Sequence, residues 1–116
     1  MNPRLLNITS LENAEKEISA VQADPAGVRI MAPKMVFKVI KLERISAKEA
    51  NLLKQTFLAK GGEVAVGRGS ADLSISTTDV VIGGTLRHYR QALAQLKLQP
   101  WGLPHIAAVI EDILKE

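Results

Sequence analysis

The segment VVIGGTLRHY (residues 80–89) decides how the rest of the chain is interpreted. A continuous apolar run ends at two glycines, and Thr85 then opens a segment with helical spacing. Such a run is typical of a strand that is buried on both faces. A strand-to-helix turn in which Thr85 caps the helix explains every residue here, and it is the favoured interpretation.

The alternative interpretation of this turn is an anion site at the start of the helix. Its residues would be Gly83, Gly84 and Thr85, with Arg87 or Arg90 supplying positive charge. Neither common phosphate-binding motif fits, because no lysine follows the glycines and no third glycine arrives in register.

Strands and helices are predicted on both sides of this segment. The predicted strands are residues 4–8, 36–45, 63–67 and 79–84, and residues 71–76 form either a strand or an extended loop. Four helices are predicted. The first begins at a Thr9–Glu12 capping box, and the second begins at a Ser46–Glu49 capping box and ends at Gly61. The third begins at the Thr85 cap, and the last begins at Pro104. This order predicts an α/β domain of the two-layer α+β type, in which about four strands of a mixed sheet pack with three to four helices.

Two segments are ambiguous. In VFKVIKLERI (36–45), Phe37 and Val39 share one face while Ile40 and Leu42 share the other, which predicts a central strand covered on both sides, or a bulge. Residues 28–35 are predicted to form a loop or a single helical turn, because a helical conformation is disfavoured for the residue before Pro33.

Composition narrows the class of protein. The 116 residues are 47% hydrophobic, which is enough for one domain spanning residues 1–116. No apolar run approaches the roughly 20 residues that span a bilayer, and no membrane association is expected. The chain has no cysteine, so thiolate metal sites are excluded, and a cytoplasmic location is expected.

The charge pattern gives a weak indication of an anionic partner. The net charge is +3, with both signs interspersed and the middle of the chain (29–90) more basic than the ends. A small nucleic-acid-binding domain is one alternative function, but the near absence of aromatic residues argues against it.

Lys34 and Arg68 are further candidate anion ligands. Lys34 follows Pro33, and Arg68 lies between two glycines that would let its guanidinium turn toward a phosphate or carboxylate. An ordinary solvated side chain is the favoured interpretation of each residue. We predict that Lys34, Arg68 and the Gly83–Thr85 turn converge on one side of the sheet, because ligands of open α/β sheets collect outside strand ends.

No catalytic constellation is visible. His88 and His105 lie in separate predicted helices without a partner for a metal motif, and no serine has a nucleophile elbow. We therefore predict no catalytic residue, no metal and no cofactor. A small enzyme acting on a phosphorylated substrate through Arg68, Lys34 and the helix start is a further alternative.

Six short motifs, spread along the chain, occur in the same order as in a known protein family. They lie at Asp24–Gly27, Ile30–Lys34, Asn51–Gln55, Gly61–Gly69, Val81–Thr85 and Gln99–Leu103. In this arrangement the chain resembles, from about residue 3 to residue 115, the extension that precedes the pterin-binding barrel in some bacterial dihydropteroate synthases. The barrel's NTPDSFSD loop does not occur here, so no pterin-binding or aminobenzoate-binding residue can be transferred.

The resemblance implies a non-catalytic accessory domain of folate biosynthesis. Its expected action is docking on such a barrel, in the same polypeptide or in a separate chain, formation of a homodimer, or binding of a small anion. The chain alone is not expected to join aminobenzoate to a pterin pyrophosphate.

Overall fold

The computed structural model describes residues 1–115 and shows an α+β architecture. The helices are α1 (Leu11–Ala20), α2 (Pro25–Met31), α3 (Ala47–Lys60), α4 (Leu86–Leu96) and α5 (Leu103–Leu114), with a 3-10 turn at Ala32–Lys34. The strands are β1 (Phe37–Ser46), β2 (Glu63–Val66) and β3 (Thr77–Thr85). The predicted fold class is confirmed, but within the described residues the sheet has three antiparallel strands and not about four in a mixed arrangement.

The apolar run of the opening segment is the central strand. The strand order is β1-β3-β2, so both neighbours pair with β3. Burial along β3 alternates, since Val80 and Ile82 are buried while Val81 is 41% exposed. The prediction of burial on both faces was therefore wrong, because the residues of helices α3, α4 and α5 form the core against one face only.

Strand β1 is an edge strand with a bulge. Its register against β3 shifts between Leu42 and Ile45, so the predicted bulge is confirmed. The alternative, a central strand covered on both sides, was wrong, because Phe37 and Val39 are 60% and 65% exposed.

Three local predictions were also wrong. Residues 4–8 have no regular secondary structure. The loop alternative for residues 71–76 is confirmed, since these residues form turns and bends before β3. Residues 25–31 form helix α2, because the Asp24 carboxylate accepts the Ala26 N–H and Pro25 fits the first turn. The cap of α1 is Ser10 and not Thr9, since the Ser10 hydroxyl accepts the Asn13 N–H at 3.1 Å.

The caps of α3 and α4 follow the sequence. The Ser46 hydroxyl accepts the Glu49 N–H at 3.1 Å, and α3 ends at Gly61 with φ of 100°, the left-handed conformation that favours glycine. The Thr85 hydroxyl accepts the His88 N–H at 3.3 Å. A cap of this kind contributes about 1 kcal/mol to helix stability.

The interior consists of two apolar clusters. The larger one lies between the sheet and helices α3, α4 and α5, with Phe57 and Tyr89 packed edge to face at 5.2 Å between ring centres. The smaller one joins α1, α2 and the 3-10 turn through Ala14, Ile18, Val28, Ala32 and Val36. None of the described helices is long and apolar enough to cross a membrane.

Candidate functional site

A basic cavity of about 360 Å³ lies at the first turn of helix α4. It is lined by Lys34, Lys60, Thr85, Arg87, His88 and Gln91. Three chain segments therefore meet here: the end of the 3-10 turn, the last residue of α3, and the start of α4. We call this space the basic cavity.

Turn chemistry places the two lysines. Lys34 closes the 3-10 turn, whose Pro33 is buried and fixes the backbone there. Lys60 is the last residue of α3 before the left-handed Gly61 redirects the chain into β2. A β-carbon at Gly61 would lie 3.0 Å from His88 Nε2, so only glycine leaves room for the imidazole ring.

His88 and Thr85 cap each other at the start of α4. The Thr85 N–H donates to His88 Nδ1 at 3.0 Å, and the His88 N–H donates to the Thr85 hydroxyl at 3.3 Å. Because Nδ1 accepts a hydrogen bond, the neutral ring carries its proton on Nε2, on the side of Gly61.

The start of α4 presents backbone amides that the helix itself cannot bond. The Leu86 N–H donates to the Val36 carbonyl at 3.0 Å, and the His88 N–H donates to the Thr85 hydroxyl at 3.3 Å. The Arg87 N–H lies between them in the first turn, where no preceding helical turn supplies a carbonyl acceptor. A free amide at a helix start favours a negative partner, because the helix dipole adds to its positive charge.

The cations of the basic cavity are not neutralised by neighbouring carboxylates. Within the described part of the chain, the two ion pairs are Lys97–Glu111 at 2.7 Å and Lys115–Asp112 at 3.8 Å, and neither belongs to the cavity. Among residues 1–115, Lys34, Lys60 and Arg87 therefore have no carboxylate oxygen within 4.0 Å. The local field is positive and is available to an anion.

The structure distributes the predicted site residues unequally. Lys34 and Thr85 lie together on the basic cavity. Arg68 follows β2, whose last residue Val66 pairs with Val80, so it lies toward the other end of β3 and does not line the cavity. Of the residues predicted to converge, Lys34 and Thr85 therefore lie together, and Arg68 lies apart from them.

The two glycines of the turn serve packing instead of lining the cavity. A β-carbon at Gly84 would lie 3.2 Å from His88 Cβ, and one at Gly83 would lie 3.2 Å from the Phe37 ring on the opposite face. Lys60 was missed at the sequence level, although its position directly before Gly61 marks it as the end of a helix. Arg87 was named there only as an alternative to Arg90.

Other motif residues hold connections in place. Asn51 donates to the Ser70 carbonyl and accepts from the Ser70 hydroxyl, each at 2.9 Å. The Gly102 N–H donates to the Glu49 carboxylate at 2.7 Å. These contacts fix the 67–76 loop and the start of α5 against α3.

A larger cavity, of about 620 Å³, lies on the other side of α4 between α1 and α5. Its lining includes Leu86 and Leu93 and also the carboxylates Glu12 and Glu111. Lys97 pairs with Glu111, and the Lys38 ammonium donates to the Thr9 carbonyl at 2.6 Å. Among the described residues, the lining of the basic cavity, by contrast, contains three cations and no carboxylate. Within residues 1–115, no group of three or more histidine, aspartate or glutamate side chains is placed to hold a metal ion.

Fold and cavity together define an α+β domain with a basic cavity at the start of α4. The chain is 30% identical over 108 residues to a probable bifunctional folylpolyglutamate synthase/dihydropteroate synthase of Halobacterium salinarum. The match covers 93% of this chain and 13% of the length of that relative. It relates the chain to a protein of folate metabolism. No protein-family model matches the chain, and no solved structure matches it significantly.

Proposed function

We propose that this chain is a non-catalytic accessory domain of folate biosynthesis that binds a small anion in the basic cavity. The observation that carries the proposal is a cluster of three cations beside the first turn of α4 in one cavity, none of which has a carboxylate partner among residues 1–115. Cations beside a helix start bind phosphate or carboxylate oxygens through charge-assisted hydrogen bonds.

The folate assignment is supported by the relative from Halobacterium salinarum. Its name combines folylpolyglutamate synthase and dihydropteroate synthase, and the matched segment is a small part of its length. The proposed partner is accordingly a pterin-binding barrel, carried on the same polypeptide or on a separate chain. The anion is then a pyrophosphate or a glutamate carboxylate of a folate-pathway compound.

Thermal unfolding in the presence of anions tests this proposal. Inorganic pyrophosphate and glutamate are compared with chloride at equal ionic strength, and unfolding is followed by circular dichroism. At a ligand concentration ten times Kd, binding adds about 1.4 kcal/mol to stability, which raises the Tm by roughly 6 °C for a domain of this size.

Arg87→Ala and Lys34→Ala should reduce the Tm increase while leaving the Tm in chloride nearly unchanged, since both side chains are exposed. Arg68→Ala is the matched control and should retain the full increase, because it lies outside the cavity. If Arg87→Ala shows the same Tm increase as the unmodified chain, or if neither anion raises the Tm of the unmodified chain, anion binding in the basic cavity is contradicted.

A further inference from the structure

The side of the sheet that faces away from the helices has an apolar centre. We call this side the outer sheet face. Its residues are Phe37, Val39 and Lys41 of β1, Glu63 and Ala65 of β2, and Thr77, Asp79, Val81, Gly83 and Thr85 of β3. Phe37, Val39 and Val81 are 60%, 65% and 41% exposed. An antiparallel sheet with one solvated face normally alternates polar residues outward, so an apolar outer face indicates a partner.

The register arranges the centre of this face in two rows across the sheet. In one row Val81 lies between Lys41 and Ala65, and in the next Gly83 lies between Val39 and Glu63. Within these two rows, positive charge lies on β1 and negative charge on β2, with apolar residues between them.

Gly83 keeps the centre of the face flat. A β-carbon there would lie 3.2 Å from the tip of the Phe37 ring, so the ring leans over the central strand. A flat apolar centre suits packing against a second sheet, because sheets pack about 10 Å apart with inward side chains that interdigitate.

We propose that the outer sheet face binds a second copy of this chain. A two-fold axis parallel to β3 would place β1 of each copy over β2 of the other, as an isologous dimer requires. Lys41 would then be offset from Glu63 of the second copy by two residues along the strand, about 7 Å, which both side chains can span. Lys41 and Glu63 would thus attract each other between the two copies, and Asp79, which accepts the Arg44 N–H of its own chain at 3.0 Å, would lie near the axis.

Both charges are available for this contact. Neither Lys41 nor Glu63 takes part in an ion pair within residues 1–115. One Glu63 carboxylate oxygen accepts the adjacent Val64 N–H at 2.9 Å, and the other oxygen has no hydrogen-bond donor among the described residues.

Sedimentation velocity over a range of protein concentrations tests the proposal. The unmodified chain should shift from monomer to dimer as its concentration rises. Val39→Lys should abolish the shift, because it places a charge in the apolar centre. Val21→Lys is the control, since Val21 is also an exposed valine but lies at the end of α1, outside the face.

Charge reversal separates this arrangement from other contacts. Lys41→Glu and Glu63→Lys should each weaken the dimer, and the double variant should restore it. Circular dichroism establishes that each variant is folded. A chain that stays monomeric at every concentration, a dimer indifferent to Val39→Lys, or a double variant no better than the single ones would overturn the proposal. A pterin-binding barrel that binds through Val39 while the chain alone stays monomeric would overturn it too.

Discussion

Tyr89 connects the sheet to the helices at a single hydroxyl group. Its side chain is fully buried, and the hydroxyl lies 3.0 Å from the Lys38 carbonyl oxygen and 3.2 Å from the Ile82 carbonyl oxygen. Burial raises the pKa of the phenol above its ordinary value of 10.0. A phenolate would also face two carbonyl oxygens and could donate to neither.

The raised pKa of Tyr89 predicts a loss of stability at high pH. The folded state keeps the Tyr89 proton more tightly than the unfolded chain does. The contribution of Tyr89 to folding stability is therefore fully present below pH 10.0 and is lost as the pH rises above that value. Tyr89→Phe should cost about 1 kcal/mol at neutral pH through the lost hydrogen bonds. Denaturant unfolding of both proteins at several pH values measures the difference.

The difference in unfolding free energy between wild type and Tyr89→Phe should narrow above pH 10.0. Only the wild type has a phenol that ionises once unfolding exposes it, and this ionisation favours the unfolded chain. Tyr89 is the sole tyrosine in the sequence, so no second phenol complicates the comparison. A gap of constant size across this range would show that the Tyr89 hydroxyl ionises as easily in the folded protein as in the unfolded chain.

At the scale of elements, the 67–76 loop is anchored to α3 through Asn51. Ser70 is fully buried, and both its hydroxyl and its carbonyl are bound by the Asn51 amide. Within the loop, the Ser74 N–H donates to the Asp72 carboxylate and holds the pKa of Asp72 below its ordinary value. The loop is therefore ordered by side-chain contacts although it has no strand.

Asn51→Ala should loosen this loop and cost about 2 kcal/mol, because it leaves the buried Ser70 groups without partners. Hydrogen exchange measured by mass spectrometry should accelerate in residues 67–76 of the variant, and by more than in the rest of the chain. Gln55→Ala is the control, since Gln55 is exposed on the same helix. Equal exchange rates in the loop of wild type and Asn51→Ala would contradict the anchoring role.

Elements with local signals were predictable from the sequence. Helix α3 has its Ser46 cap and Gly61 end within the chain segment itself, and α4 has its cap at Thr85. The sheet was harder, because strand number and exposure depend on contacts far apart in the sequence. Residues 4–8 are apolar enough for a strand but find no pairing partner, and the apolar residues Phe37 and Val39 point away from the helices.

The candidate site shows the same division. Thr85 was predictable because its cap is local, and Lys34 because it follows a proline that shapes the turn. Lys60 reaches the basic cavity only because α3 ends beside the start of α4, which no sequence spacing reveals. Arg68 has a suitable side chain, but the antiparallel pairing of β2 with β3 carries it to the other end of the strand.

At the scale of the whole molecule, charge favours a small anion over a nucleic acid. The unpaired cations of the basic cavity are concentrated in about 360 Å³ and do not form a stripe. Nucleic-acid affinity grows with the number of phosphates neutralised together, and a cluster of this size neutralises few. The proposed anion site and the proposed dimer face lie on different sides of the sheet, so the two proposals can be tested separately.

Amide chemical shifts recorded during titration with pyrophosphate test anion binding most directly, because they locate the ligand on the chain. The largest changes are expected at the Arg87 amide in the first turn of α4, and at the neighbouring Gly61 and His88 amides. Arg87→Ala should weaken the apparent affinity while the same amides still respond. Changes centred on Arg68 and its loop, or no saturable change at any amide, would contradict the account.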